Sequence, residues 1–213
     1  MRNLKYLTSM MAVGVGLLIC VPQGEAALLF SWGVDAPGRL QDSSSVVLTG
    51  SQSDSSIGGF IQLIFDGGDG LDALDIGETD GIPAAGNDLV VATGWVGRGA
   101  VFDAPALTDG FMSGVDDIDG VGGYVATAGD MFYIRYFDTA SPSYGTGAIP
   151  TTGNYADLGP HVLTEQEING EAAQFAITSN QQTTNPVPEP STMALFAIGG
   201  LVAAGMRRRA KRS

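Results

Sequence analysis

The chain has 213 residues, 23 acids against ten Lys and Arg, and a formal net charge of −13. Between residues 27 and 190 only Arg39, Arg98 and Arg135 remain beside 22 acids, a net −19 with no lysine. Such acidity repels phosphate backbones and anionic lipid, so nucleic acid is excluded as a partner and cations are favoured.

Arg2 and Lys5 open the chain as a basic n-region. Leu7 to Val21 follow as an apolar h-region, and Gly24-Glu25-Ala26 supplies small residues before a cut between Ala26 and Ala27. Residues 1–26 therefore read as a secretory signal helix, addressed to the Sec translocon and signal peptidase. Cys20 is the only cysteine, and Ile19 stands where a lipobox needs a small residue. The mature chain would have no disulfide, so packing or bound ions must stabilise it.

Residues 27–178 read as one exported domain, long enough for a core of its own. Strand signals appear at Leu28–Gly33, Val46–Leu48, Phe60–Phe65, Asp88–Thr93, Gly123–Ala126, Met131–Phe137, His161–Leu163 and Ala173–Thr178. Gly129-Asp130 would form a hairpin turn, and only residues 164–170 have helical character. Short strands punctuated by Gly, Asp and Pro predict an all-β fold, a single β-sandwich of jelly-roll or Ig-like type.

The densest acidic stretch, Asp66 to Gly81, sets carboxylates among glycines. Hard oxygen donors on such a loop suit Ca²⁺, with Asp66, Asp69, Asp72 and Asp75 as candidate ligands. Gly67 to Leu74 fits one unit of a glycine-rich calcium repeat, but that architecture stacks several units and the EF-hand spacing is not met. A solvated acidic loop is the alternative. Asp116-Asp117-Ile118-Asp119-Gly120 is a second acidic candidate. His161, the single histidine, follows Gly159-Pro160 and reads as structural, and no Gly-x-Ser-x-Gly elbow occurs. No catalytic residue is assigned. Trp32, Tyr144 and Tyr155 are aromatic, but Trp95, in a Gly-rich turn, is the candidate sugar contact.

Residues 179–190 are polar and Pro-rich and read as a linker. Residues 191–213 follow, with an uncharged apolar run over 192–206 and the cations Arg207, Arg208, Arg209, Lys211 and Arg212 at its end. As a helix the run would span about 22 Å, short of the roughly 30 Å hydrocarbon core unless the arginines extend it. The basic flank keeps the tail cytoplasmic and places the body outside.

Val187-Pro188-Glu189-Pro190-Ser191, the apolar run and the Arg cluster together resemble the PEP-CTERM sorting signal of Gram-negative bacteria. The resemblance implies a precursor inserted in the inner membrane by a transmembrane helix, with its body in the periplasm. It further implies an exosortase as partner, processing near Pro-Glu-Pro, and delivery to the cell surface or the exopolysaccharide matrix. The stretch Leu28 to Tyr144 also resembles an exported domain of unknown function found in such proteins. The resulting expectation is a non-enzymatic surface or matrix protein. A carbohydrate-binding module that grips exopolysaccharide, with Ca²⁺ as cofactor, is the alternative, and a glycan-active hydrolase the third.

Overall fold

A computed structural model describes residues 28–35, 37–100, 105–169 and 173–188. The expected signal helix, its Ala26–Ala27 cut and the apolar run at 192–206 lie outside these. Among the described residues no helix is long and apolar enough to cross a membrane.

The protein is mostly β. In chain order come β1 (Leu29–Val34), β2 (Leu40–Gln41), β3 (Phe60–Asp66), β4 (Leu89–Trp95), α1 (Pro105–Thr108), β5 (Met112–Asp117), β6 (Met131–Phe137), β7 (Asn154–Val162), α2 (Glu165–Ile168), β8 (Ala173–Ile177), β9 (Gln181–Gln182) and β10 (Asn185–Pro186). Among the described residues three sheets form, ordered β5-β1-β8, β10-β7-β6-β3-β4 and β2-β9.

The strongest sequence signals form the centre. β3 and β6 pair antiparallel, and their alternation sorts side chains to two faces. Ile61, Leu63, Phe132, Ile134 and Tyr136 join Phe30, Trp32, Val34, Met112 and Phe175 in one buried cluster, so the three-stranded and five-stranded sheets share a core. The opposite face of β3 and β6 carries Phe60, Gln62, Ile64, Arg135 and Phe137. There Phe60 and Phe137 form a smaller cluster with Ile149 and Val187, covered by Leu74 and Ile76.

Other expectations change. Val46–Leu48 is not a strand. Val47 makes one isolated bridge to Gln41, and β2 takes the place. Gly123–Ala126 is not one either. Residues 121–123 form a 3₁₀ turn, which drops Tyr124 onto Phe65 and Phe132 with its hydroxyl donating to Asp130. β5, with the sequence MSGVDD, pairs with β1 although its acids point away from the usual strand composition. β7 extends far upstream of the expected 161–163. A register shift opposite Phe132–Ile134 accommodates Gly159 and Pro160, which a regular ladder would not. Two pairings, β1 with β8 and β2 with β9, are parallel.

The segment expected to be a linker is built into the body. β9 pairs with β2, and β10 pairs with the start of β7. Thr183 is 1% exposed, and Val187 is 4% exposed. Backbone pairing of polar residues with β2 and β7, together with burial of Val187 just after β10, overrides the polar composition.

Candidate functional site

Asp66 closes β3 and Asp88 immediately precedes β4. Phe65 pairs with Leu89, so the two carboxylates stand side by side at the base of the loop that joins the strands. Asp66 Oδ1 accepts from the amides of Gly68 (2.7 Å) and Gly70 (3.1 Å), a tight reversal for which those glycines adopt φ values of 105° and 99°. The reversal brings exposed Asp69 back over the strand ends. One carboxylate oxygen each from Asp66, Asp69 and Asp88 then lies within 4.8 Å of the others.

Asp88 is further held by the loop. Its Oδ1 accepts from the Gly67 amide (3.2 Å) and its Oδ2 from the Asp72 amide (2.6 Å). Burial raises the Asp88 pKa above its ordinary value. The two amides pull it back, and the charges of Asp72 and Asp66 raise it further. On the same sheet face, the Tyr133 pKa is raised by burial and by the charges of Asp66 and Asp88.

Of the four loop acids expected as ligands, the structure brings Asp66 and Asp69 together. Asp72 stands beside them through its amide. Asp75 sits elsewhere: its amide donates to Gly81 and its Oδ1 accepts from the Gly77 amide, closing a separate turn. Asp88 takes its place in the cluster. Sequence reasoning missed Asp88 because it lies at the far end of the loop, just before the next strand, and only the β3–β4 register carries it back. The second acidic candidate disperses. Asp116 takes the Trp32 indole N–H and the Arg98 guanidinium, both at 2.8 Å, while Asp119 accepts from the Ala126 amide.

The loop is anchored on the sheet by polar contacts. Gln62, fully buried, donates through Nε2 to the Asp80 carbonyl at 2.8 Å. Arg135, 1% exposed, donates to Asp157 through Nε (2.6 Å) and Nη2 (3.1 Å), and Nη2 also reaches the Asp72 carbonyl.

Trp95, the expected sugar contact, is half-buried. Its indole N–H donates to the Ser51 carbonyl at 2.8 Å, and Tyr144 packs edge-on against it with centroids 4.8 Å apart. His161 lies between Phe30 and Phe175, with Nε2 3.2 Å from Glu167 Oε1.

At the C-terminal end, Val187 and Pro188 are described. Glu189, Pro190, Ser191 and the basic residues 207–212 lie outside the described residues. The Gln181 amide donates to the Arg39 carbonyl, Thr183 to Gln41, Thr184 to Tyr155 and Val187 to Gly153. Pro186, with no N–H to give, falls between the last two donors.

Residues 186–209 match the family model of the PEP-CTERM protein-sorting motif. No curated protein and no solved structure matches the chain.

Proposed function

The chain being a PEP-CTERM protein, we propose that it is a non-enzymatic component of the cell surface or exopolysaccharide matrix, released there after exosortase processing. The observation that carries this reading is the sorting motif at 186–209, an address for export whose first residues are continuous with the folded body. The charge supports it. A body with three arginines, no lysine and 22 acids stays soluble outside the cell and does not adhere to anionic lipid. The histidine supports the non-enzymatic part, since His161 is occupied by two aromatic rings and Glu167. In the same reading the two sheets that share a core face each other as a sandwich. The parallel β1–β8 pair sets it apart from a purely antiparallel Ig-like arrangement. Trp95 serves the body's own packing, which leaves the carbohydrate-binding alternative without the residue first assigned to it.

Cell fractionation with intact-mass measurement tests the proposal. The expected species is a surface or matrix protein that has lost residues 1–26 and the segment beyond Pro-Glu-Pro, and that shifts to the soluble fraction when polysaccharide is digested. Full-length protein in the cytoplasm would overturn it.

A further inference from the structure

Among the described residues no Arg or His forms an ion pair with Asp66, Asp69 or Asp88 at the base of the β3–β4 loop. Asp66 is 2% exposed. Its Oδ1 is satisfied by two amides, but its Oδ2 is buried with no hydrogen-bond partner. Asp72 Oδ2, on the same loop and beside Gly86, is a second buried oxygen without a partner. A buried carboxylate oxygen is strongly disfavoured unless a donor or a cation meets it.

Among the described residues each arginine is engaged with other groups. Arg39 is held by the carbonyls of Ala106 and Asp109 and lies over the Phe111 ring. Arg98 pairs with Asp116, and Arg135 with Asp157. Residues 27–190 contain no other Lys or Arg.

One oxygen each from Asp66, Asp69 and Asp88 lies within 4.8 Å of the others, close enough for a single cation to meet all three. Carboxylates on a glycine-rich loop suit the flexible all-oxygen coordination of Ca²⁺ better than Mg²⁺, which demands near-ideal octahedral geometry and keeps several waters.

We propose that Asp66, Asp69 and Asp88 bind a Ca²⁺ ion that staples the base of the loop 67–87. The ion takes the unpartnered Asp66 oxygen and neutralises the charges that converge there. It closes a long loop in a domain whose only cysteine, Cys20, precedes the body. This fits an exported protein, because extracellular modules hold Ca²⁺ with dissociation constants of about 0.1–1 mM. The site rests on geometry alone and stands or falls independently of the matrix reading.

The test is thermal melting and calorimetric titration of the full chain in detergent, stripped with chelator and then given CaCl₂. Ca²⁺ at about 1 mM should raise the melting temperature by several degrees, with Mg²⁺ at equal ionic strength giving much less. Asp66→Asn keeps the Oδ1 acceptor for Gly68 and Gly70 while removing the charge. It should melt no lower than wild type without Ca²⁺ and lose the Ca²⁺ response. Asp69→Ala, at an exposed position, tests the same ligand set should Asp66→Asn fail to fold, and should weaken binding at least tenfold. Absence of Ca²⁺ binding, an equal shift with Mg²⁺, or a shift that survives both substitutions would each overturn the proposal.

Discussion

The backbone N–H of Val187 donates to the carbonyl of Gly153 at 2.9 Å, and this bond ties the first residue of the Val-Pro-Glu-Pro stretch into the folded body. The Val187 side chain is 4% exposed in the cluster of Phe60, Phe137 and Ile149. The sorting signal therefore begins inside the fold. Val187→Ala should cost roughly 1–2 kcal/mol through lost burial and an unfilled cavity. Denaturant unfolding of the full chain in detergent measures this, and an unchanged midpoint would show that the docking is incidental.

The same bond fixes how close the body sits to the processing machinery. Only residues 189–191 separate Pro188 from the apolar run at Thr192. At about 3.3–3.6 Å per extended residue, the reach from Pro188 to Thr192 is at most roughly 14 Å. An enzyme that cuts near Pro-Glu-Pro must work against the body or wait for β10 to open. Inserting four Gly/Ser residues after Pro188 should speed precursor processing with no loss of stability. Val187→Asp should speed it while lowering stability, because it undocks the strand. Pulse-chase immunoblotting reads both, and equal processing of all three forms would remove steric control.

Much of the centre was readable in the sequence. Phe60–Phe65 and Met131–Phe137 announce themselves because both faces of those strands are buried, and dense apolar and aromatic residues result. β7 and β10 do not, because their register comes from backbone bonds to neighbours that are far away in sequence, and Gly159, Pro160 and Pro186 mask them. The acidic loop shows the same division. Asp66 and Asp69 were visible as carboxylates among glycines, while Asp88 enters only when Phe65 pairs with Leu89. Composition also left the setting of Trp95 unread: its glycine neighbours suggested exposure, and the half-buried ring packs edge-on against Tyr144.

Arg135 is the buried charge on which the loop rests. Its guanidinium meets Asp157, the Asp72 carbonyl and, at 5.4 Å, the face of Tyr155. Removing only the acid strands a desolvated cation, so Asp157→Asn should destabilise by about 3 kcal/mol. Arg135→Met removes the cation itself and leaves Asp157, whose side chain is 28% exposed, free to hydrate. Its cost should be smaller, about 1 kcal/mol. Chemical denaturation of the two variants at neutral pH decides the order, and a larger loss for Arg135→Met would mean that the stem's packing outweighs the charge.

Acid sensitivity should trace to Glu167. Burial alone would raise its pKa. The Thr164 amide and hydroxyl, the His161 charge and the Gln174 amide all lower it and together outweigh burial, so the net pKa lies below the ordinary 4.5. The contacts are concrete. Thr164 N and Oγ1 both donate to Glu167 Oε2 at 2.8 Å, Gln174 N donates to Oε1 at 3.3 Å, and the Glu167 amide donates back to Thr164 Oγ1. This reciprocal cap fixes α2, and the Gln174 bond ties it to β8. A depressed carboxylate contributes its full stability above its unfolded pKa and loses it as pH falls through the folded value. The contribution should therefore be constant at neutral pH, begin to fall as pH drops past the ordinary glutamate value, and be lost as pH passes through the lower folded value. Glu167→Gln should lower stability at neutral pH and flatten the acid limb of the stability curve, while Thr164→Ala should cost about 1 kcal/mol. Urea unfolding from neutral to acid pH provides the comparison. If Glu167→Gln keeps the wild-type slope, the acid dependence must arise from other carboxylates.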